Sequence, residues 1–529
     1  MNLTSQQPWF NGAVVYHIYL RSFKDSNEDG VGDLPGITQK LDYLNDGQGG
    51  GLGVQAMWIS PFYPSPMVDY GYDISDYRGV DPLFGTMEDL EELITEAHKR
   101  GIKVIIDLVP NHSSDQHPWF KQACTSRDHP KRDWYIWRDA GPDGSLPNNW
   151  LSVFGGSVWE WHEPTGQYYL HSFTKEQPDL NWENPEVRQA MSEVMRFWLD
   201  KGIDGFRVDA VDLMGKDLQL RDDPPNPDLQ AGDMPYEQVI HKYSRDAGNF
   251  FSYIQQIVDT AGEYPDRLVV LETWMMERAQ PALYWDFYRA VPDEICIPFN
   301  LELMFMEWSA TEFQNFVDEF QSGLRSHDHP LYVLSNHDLP RLASAIGSEA
   351  ARTAAVLLLT LPGVALLYYG EELGMENISV TAEEAQDFRG RDRSRSPMQW
   401  SDEPYAGFSS VKPWLPVSKN YPVKNVKAEK QDERSLWWLH KRLIQLRNTE
   451  PALKHGSYNP GSRVEHPDIM SYTRCSGNDT YLVILNFKGE QIYTDSLPKE
   501  ALIVLSSNSD RENSLDNLLL PHEGLILKI

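Results

Sequence analysis

GIDGFRVDAV, residues 202–211, opens as a turn and becomes an apolar run that carries Arg207 and Asp209 two residues apart. With the period of two of a β-strand, Arg207, Asp209 and Val211 fall on one face and Phe206, Val208 and Ala210 on the other. Ionised groups in an apolar strand are costly unless they are paired or turned toward a cavity. The stretch predicts a buried strand whose C-terminal end reaches a polar opening, as at the rim of a parallel β/α barrel.

Seven further runs have the same character: AVVYHIYL at 13–20, AMWIS at 56–60, KVIIDLV at 103–109, RLVVLET at 267–273, residues 295–300, LYVLS at 331–335 and ALLYY at 365–369. Amphipathic helical stretches lie between several of them. One, MEDLEELITEAHKR at 87–100, has acids early and bases late, as the helix dipole favours. Apolar strands joined by helices are parallel strands covered on both sides. Eight of them predict an α/β fold, a (β/α)8 barrel. Residues 111–181, rich in Trp, Pro, Gly, Asn and His, read as an excursion domain after the third strand. Residues 455–529 alternate in short segments such as TYLVILNF and read as a C-terminal antiparallel β domain. The barrel is then expected from 1–110 and 182–454. The apolar run at 353–369 is broken by Pro362-Gly363 and reads as buried helix, turn and buried strand, not as a membrane span.

The chain has 529 residues, 41% hydrophobic and 24% charged, with a net charge of −31. That balance argues against nucleic acid and anionic membranes as partners, since both repel a polyanion. Cys124, Cys296 and Cys475 are far apart and match no metal spacing. Free thiols and an N-terminus without basic or apolar leader features point to a cytoplasmic location.

Four barrel runs end in polar groups. KVIIDLVPNH carries Asp107, Asn111 and His112, GFRVDAV carries Arg207 and Asp209, RLVVLETW carries Glu272, and LYVLSNHDLPR carries Asn336, His337 and Asp338. Any one acid alone reads as a strand cap. In a parallel barrel, however, all strands share one C-terminal rim, so these groups converge. Three carboxylates with an Arg and two His suit a developing cationic carbon, and glycoside cleavage uses a carboxylate pair around such a transition state. Arg207, on the same face as Asp209, is expected to lower its pKa and keep it anionic as nucleophile. Glu272 follows apolar VVL, which fits a raised pKa and an acid/base role. No G-x-S-x-G elbow, H-E-x-x-H helix, P-loop or complete G-x-G-x-x-G is present.

With these residues located, the chain resembles the α-amylase superfamily of glycoside hydrolases, family 13, on its α-glucosidase and oligosaccharide-hydrolase side. The likeness is carried by VVYHIYLRSFKDSNEDGVGDLPGI, SPFYPSPMVDYGYDISDY, DLVPNHSS, QPDLNW, GFRVDAV, NHDLPR, YYGEELGM and GRDRSRSPMQW. It implies a retaining enzyme with Asp209 as nucleophile, Glu272 as acid/base and Asp338 as the third carboxylate. It also implies that Asp69, Tyr72, His112, Phe173, Gln177, Arg207, His337 and Arg391 line the pocket for the non-reducing glucose, with Tyr72 stacked on the ring. Leu271 departs from the family's usual Gly before the acid/base Glu. DSNEDGVGD at 25–33 places oxygen ligands at Asp25, Asn27, Asp29 and Asp33 with the Val31 carbonyl, spacing that resembles the first part of a calcium loop. In the family such a loop holds Ca²⁺ or Mg²⁺ structurally, away from catalysis.

Within the resemblance, Ala210 stands where many α-1,6-preferring enzymes have Val, and Tyr70 where many isomaltases have Asn. Both point to maltose-type or sucrose-type substrates. LRDDPPNPD at 220–228 resembles a bacterial subgroup with broad linkage tolerance and transglucosylation. The expectation is an exo-acting α-glucosidase on small oligosaccharides or glucosides, monomeric or homodimeric. The alternatives are an oligo-1,6-glucosidase, a trehalose synthase or sucrose isomerase on the same scaffold, and a catalytically dead binding protein. The last usually has a membrane anchor and lacks the acids that this chain keeps.

Overall fold

The computed structural model describes residues 7–230, 232, 234–274, 280–460, 464–498, 500–508, 511 and 515–529. Eight parallel strands form its centre: β1 (Val14–Ile18), β2 (Ala56–Ile59), β3 (Lys103–Leu108), β4 (Gly205–Val208), β5 (Leu268–Glu272), β6 (Cys296–Phe299), β7 (Leu331–Val333) and β8 (Val364–Tyr368). They pair in the order β7-β8-β1-β2-β3-β4-β5-β6. A single parallel bridge, Asn300 to Tyr332, joins β6 to β7 and closes the ring. All eight are buried on both faces, which is why they read as continuous apolar runs.

Two apolar layers result. Val15, Trp58, Ile105, Val270, Phe299, Leu331 and Leu366 fill the barrel interior. Phe206, Val208, Val269 and Leu271 face outward onto the helices. The helix Met87–Lys99 shows how such a cover is built. Thr86 and Asp89 form a reciprocal capping box at its start, and Leu90, Leu93, Ile94 and Ala97 bury one stripe. The run at 353–369 resolves as a helix, Ala351–Thr360, a turn at Leu361–Gly363, and β8.

The excursion after β3 carries a three-stranded antiparallel sheet, in which Gln167–Leu170 pairs with both Trp137–Arg138 and Trp159–His162. Its apolar core includes Trp150, Trp159 and Leu170. The C-terminal segment forms a five-stranded antiparallel sheet in the order 457–459, 469–476, 479–486, 524–528, 502–506. Its central strands were legible in the sequence. The last strand, Gly524–Lys528, is a non-local partner that completes the sheet between Asp479–Asn486 and Leu502–Ser506. Among the described residues no helix is long and apolar enough to cross a membrane.

Candidate active site

β4 ends at Val208, and Ala210 takes left-handed backbone with φ 45°. The alternation expected through Val211 therefore stops at Asp209: Val211 starts a short 3₁₀ turn instead. The break aims Asp209 along the rim and frees the Ala210 amide. That amide donates to Glu272 Oε2 at 2.9 Å. Leu271, where the family usually has Gly, sits in regular strand pairing with Val208 and Pro298 and is fully buried. A side chain is thus accommodated without strain.

Arg207 is the hub. Its Nη1 donates to Asp209 at 2.6 Å and to Asp107 at 2.7 Å, and its Nη2 pairs with Glu272 Oε1. The apolar sequence before Glu272 therefore does not give it apolar surroundings. Its two oxygens meet a cation and an amide. Asp107 is itself held by the Trp58 indole, which donates to Oδ2 at 2.8 Å, and the Trp58 ring lies 5.0 Å from the guanidinium. His17 stacks on Trp58 at 3.6 Å.

One cation faces three buried carboxylates. The expected anionic bias at Asp209 is accordingly reversed. Burial pushes its carboxyl well above the usual range, Arg207 opposes this, and Glu272 and Asp107 add to it. Burial likewise pushes Asp107 up to about 6, against Arg207. Burial and mutual repulsion thus both favour protonation of Asp209 and Asp107, against the pull of Arg207.

Asp338 behaves in the opposite way. Burial raises its carboxyl, but the permanent charges of Arg391 and Arg395 outweigh that and hold it well below the carboxylate range. Arg395 Nη2 donates to it at 3.0 Å and Arg391 Nη1 at 3.3 Å. Burial lowers His337 to about 3, so its ring is neutral.

The other expected residues close a continuous ring. Arg391 pairs with Asp69 at 2.6 Å. Gln177 Nε2 donates to Asp69 at 3.2 Å and lies 3.1 Å from His112 Nε2. His112 meets the Tyr72 carbonyl at 3.2 Å and the Phe173 ring at 5.1 Å. The Tyr72 hydroxyl shares a hydrogen bond of 2.9 Å with His337, and the two rings stack. The fold thus brings Asp69, Tyr72, His112, Phe173, Gln177, Arg207, Asp209, Ala210, Glu272, His337, Asp338 and Arg391 to one mouth. Sequence reading missed Trp58, His17, Asp387 and Arg395. Asp387 holds Arg391 through three bonds, from the backbone amide at 2.8 Å and from the guanidinium at 2.8 and 3.0 Å. GRDRSR offers several arginines, and only the fold decides that Arg395 joins Arg391 on Asp338.

Such a site can hold one pyranose among paired polar groups, with two carboxylates bridged by one guanidinium on one side and an ionised aspartate on the other. The alpha-amylase catalytic-domain family matches residues 17–456. The chain belongs to the α-amylase family. Within this family it is 39% identical to an oligo-1,6-glucosidase of Parageobacillus thermoglucosidasius, over 99% of both chains. It is 37% identical to an alpha-glucosidase of Apis mellifera, over 95% of this chain and 91% of that one. Among solved structures it is similar to the alpha-glucosyl transfer enzyme XgtA, with a TM-score of 0.91 at 37% identity over 99% of this chain and all of the other. This α-amylase-family chain is a glycoside hydrolase of the glucosidase branch.

The loop at 25–33 lies apart from this ring. Asp25 accepts from the amides of Asn27, Glu28 and Gly30 and from the Ser409 hydroxyl. Asn27 accepts from Asp29 N–H, and Asp29 from Val31 N–H. Asp33 accepts from Ser26 and Gly36 and caps the helix Leu34–Gln39. At Gly30, with φ +87°, a Cβ would lie 2.5 Å from the Lys412 carbonyl, so the turn needs glycine. The donors are all oxygen, the chemistry of a Ca²⁺ or Mg²⁺ ligand set. Among the described residues no three His, Cys, Asp or Glu side chains converge as a metal cluster. A cation would therefore also need the Asn27 oxygen and the Val31 carbonyl.

Proposed function

We propose that the protein is a retaining, exo-acting α-glucosidase that releases glucose from the non-reducing end of short α-glucosides, with maltose-type α-1,4 links favoured. The observation that carries this reading is the single guanidinium of Arg207 bridging Asp209 and Glu272. Two carboxylates spanned by one such fork are close together. Retaining enzymes need a separation of roughly 5–5.5 Å, whereas inverting enzymes leave room for a water.

In this reading Asp209, in its anionic form, attacks the anomeric carbon. Glu272 protonates the leaving oxygen and then takes a proton from water. Asp338, kept ionised, accepts hydrogen bonds from sugar hydroxyls and favours ring distortion. Arg391 and Asp69 bind the far end of the ring, and Tyr72 offers its face. The pairing of Asp69 with both Arg391 and Gln177 on one side of the ring supports exo action. Ala210 and Tyr70 support the α-1,4 preference.

The test is hydrolysis of maltose, isomaltose, sucrose and trehalose side by side. Dominant isomaltose cleavage would overturn the linkage preference, and the named oligo-1,6-glucosidase relative makes that the outcome to look for. A second reading, glucosyl transfer, is favoured by the likeness to XgtA. Rearranged disaccharide in place of free glucose would establish it.

We also propose that Asp25, Asn27, Asp29 and Asp33 with the Val31 carbonyl hold Ca²⁺ or Mg²⁺. The ion would cross-link this loop to the segment at 408–414, which already meets it through Ser409 and Trp414. A melting temperature that rises with either ion in wild type but not in Asp29→Ala supports this. No shift with both ions overturns it.

A further inference from the structure

The segment after β8 is clamped at two points on the reacting face. Buried Asp387 holds Arg391, and Arg391 reaches Asp338 and Asp69. Pinning residues 387 and 391 forces Phe388, Arg389 and Gly390 outward over the mouth. Gly390 has φ +73° with open space where a Cβ would stand, as a tight outward turn requires.

From the other side the excursion presents Phe154, followed by Gly155 and Gly156, both at positive φ and open around their Cβ positions. The two turns meet. The Arg389 guanidinium lies 4.6 Å from the centre of the Phe154 ring, and Phe388 packs edge-on to the same ring at 5.5 Å and 83°. Phe154 touches Phe173 at 5.3 Å, and Phe173 touches His112. An aromatic path therefore runs from the glucose pocket outward and ends at Phe388, which is 61% exposed. Among the described residues no hydrogen bond or ion pair engages the Arg389 guanidinium, so its N–H donors are available to a ligand beside Phe154.

We infer that Phe388 and Arg389 form the outer wall of the pocket and select the leaving group, taking a ring-bearing aglycone, either a second pyranose or an aryl group. Phe388 stacks on the apolar ring face, and Arg389 donates to hydroxyl or other oxygen acceptors on it. This rests on the α-glucosidase reading of the site. The two residues differ from those around the glucose because they touch only the part of the substrate that departs.

The experiment compares three substrates that share glucose and differ in leaving group: 4-nitrophenyl α-glucoside, maltose and α-glucosyl fluoride. Phe388→Ala is expected to lower kcat/KM for the nitrophenyl glucoside about 3–10-fold, the size of one aromatic contact. Fluoride, with no ring to stack, changes less than twofold, and competitive inhibition by glucose keeps its constant. Phe388→Trp restores the loss. Arg389→Ala is expected to weaken maltose more than the other two. Equal losses on all three substrates, or no loss on the nitrophenyl glucoside, would overturn the proposal. Wild-type protein that cleaves none of the three would instead remove the α-glucosidase reading on which it rests.

Discussion

Two fully enclosed guanidinium groups sit at opposite ends of the barrel. At the rim, Arg207 is matched with Asp107, Asp209 and Glu272. At the floor, Arg447 meets no carboxylate among the described residues. It donates to four backbone carbonyls, of Gly12 at 2.9 Å, Leu359 at 2.9 Å, Leu361 at 2.7 Å and Gly363 at 2.5 Å. Arg474 does the same with the Thr360 and Gly456 carbonyls, tying the C-terminal sheet to the floor. Burial lowers Arg447 to about 9, while its surroundings hold Arg207 well above the ordinary value. In Arg207 burial works downward, but Glu272 and Asp107 outweigh it. Carbonyls cannot titrate or leave, so the floor cation only fastens chain ends. Carboxylates can exchange protons and attack, so the rim cation keeps reactive groups in place.

The largest effect expected is at the proposed nucleophile. Asp209→Asn should lower kcat by roughly 10⁴–10⁶-fold with the melting temperature kept. Retained turnover would break the contrast at its centre. Next comes the hub: Arg207→Met should cost about 10²–10³-fold in kcat/KM. Without the cation the remaining carboxylates hold protons more tightly, so the acid limb of its residual activity should move to higher pH. The floor counterpart, Arg447→Met, should leave kcat of the folded enzyme unchanged. It should lower stability by about 3 kcal/mol or more, read as a urea midpoint, because four carbonyls lose their donor. Lost kcat with an unchanged midpoint would reverse the assignment of the two ends.

Two pH measurements sharpen the picture. In the proposed mechanism Asp209 attacks as an anion, and burial raises its carboxyl. Wild-type kcat/KM should therefore fall as pH drops through a value above the ordinary aspartate range of about 4. An acid limb at or below that range would contradict the excess of carboxylates. The smallest effect concerns Glu371, buried behind β8 and pushed up to about 8 by burial, with a bond from Ser335. A folded pKa above the unfolded one means its contribution to stability is full below about 4.3 and is lost as pH rises through about 8. Glu371→Gln should gain in melting temperature relative to wild type as pH rises from 5 to 9. A difference independent of pH would exclude that ionisation.

Much of this architecture was open to a reader of the sequence. All eight strands announce themselves because a strand buried on both faces must be apolar throughout. The rim residues stand out because a charge at the end of such a strand needs a reason. Arg395 and Asp387 did not stand out, since GRDRSR and the acidic stretch before it look like solvated loop. Trp58 looked like core, and it is core on one side and a hydrogen-bond donor to Asp107 on the other. Gly524–Lys528 was missed because its place in the sheet depends on partners far away in the chain.

By itself the sequence determined the barrel, the order of its strands and the identity of the acids at its mouth. These follow from periodicity and from the cost of burying charge, and both are local. Only the tertiary structure decided which charges surround each acid. Asp209 was expected to be kept anionic by the neighbouring Arg207, but two more carboxylates from β3 and β5 share that one cation. Asp338 stays ionised because two arginines arrive from a loop more than fifty residues away. Proton affinity depends on burial and on the sum of nearby charges, and neither quantity is written along one stretch of chain.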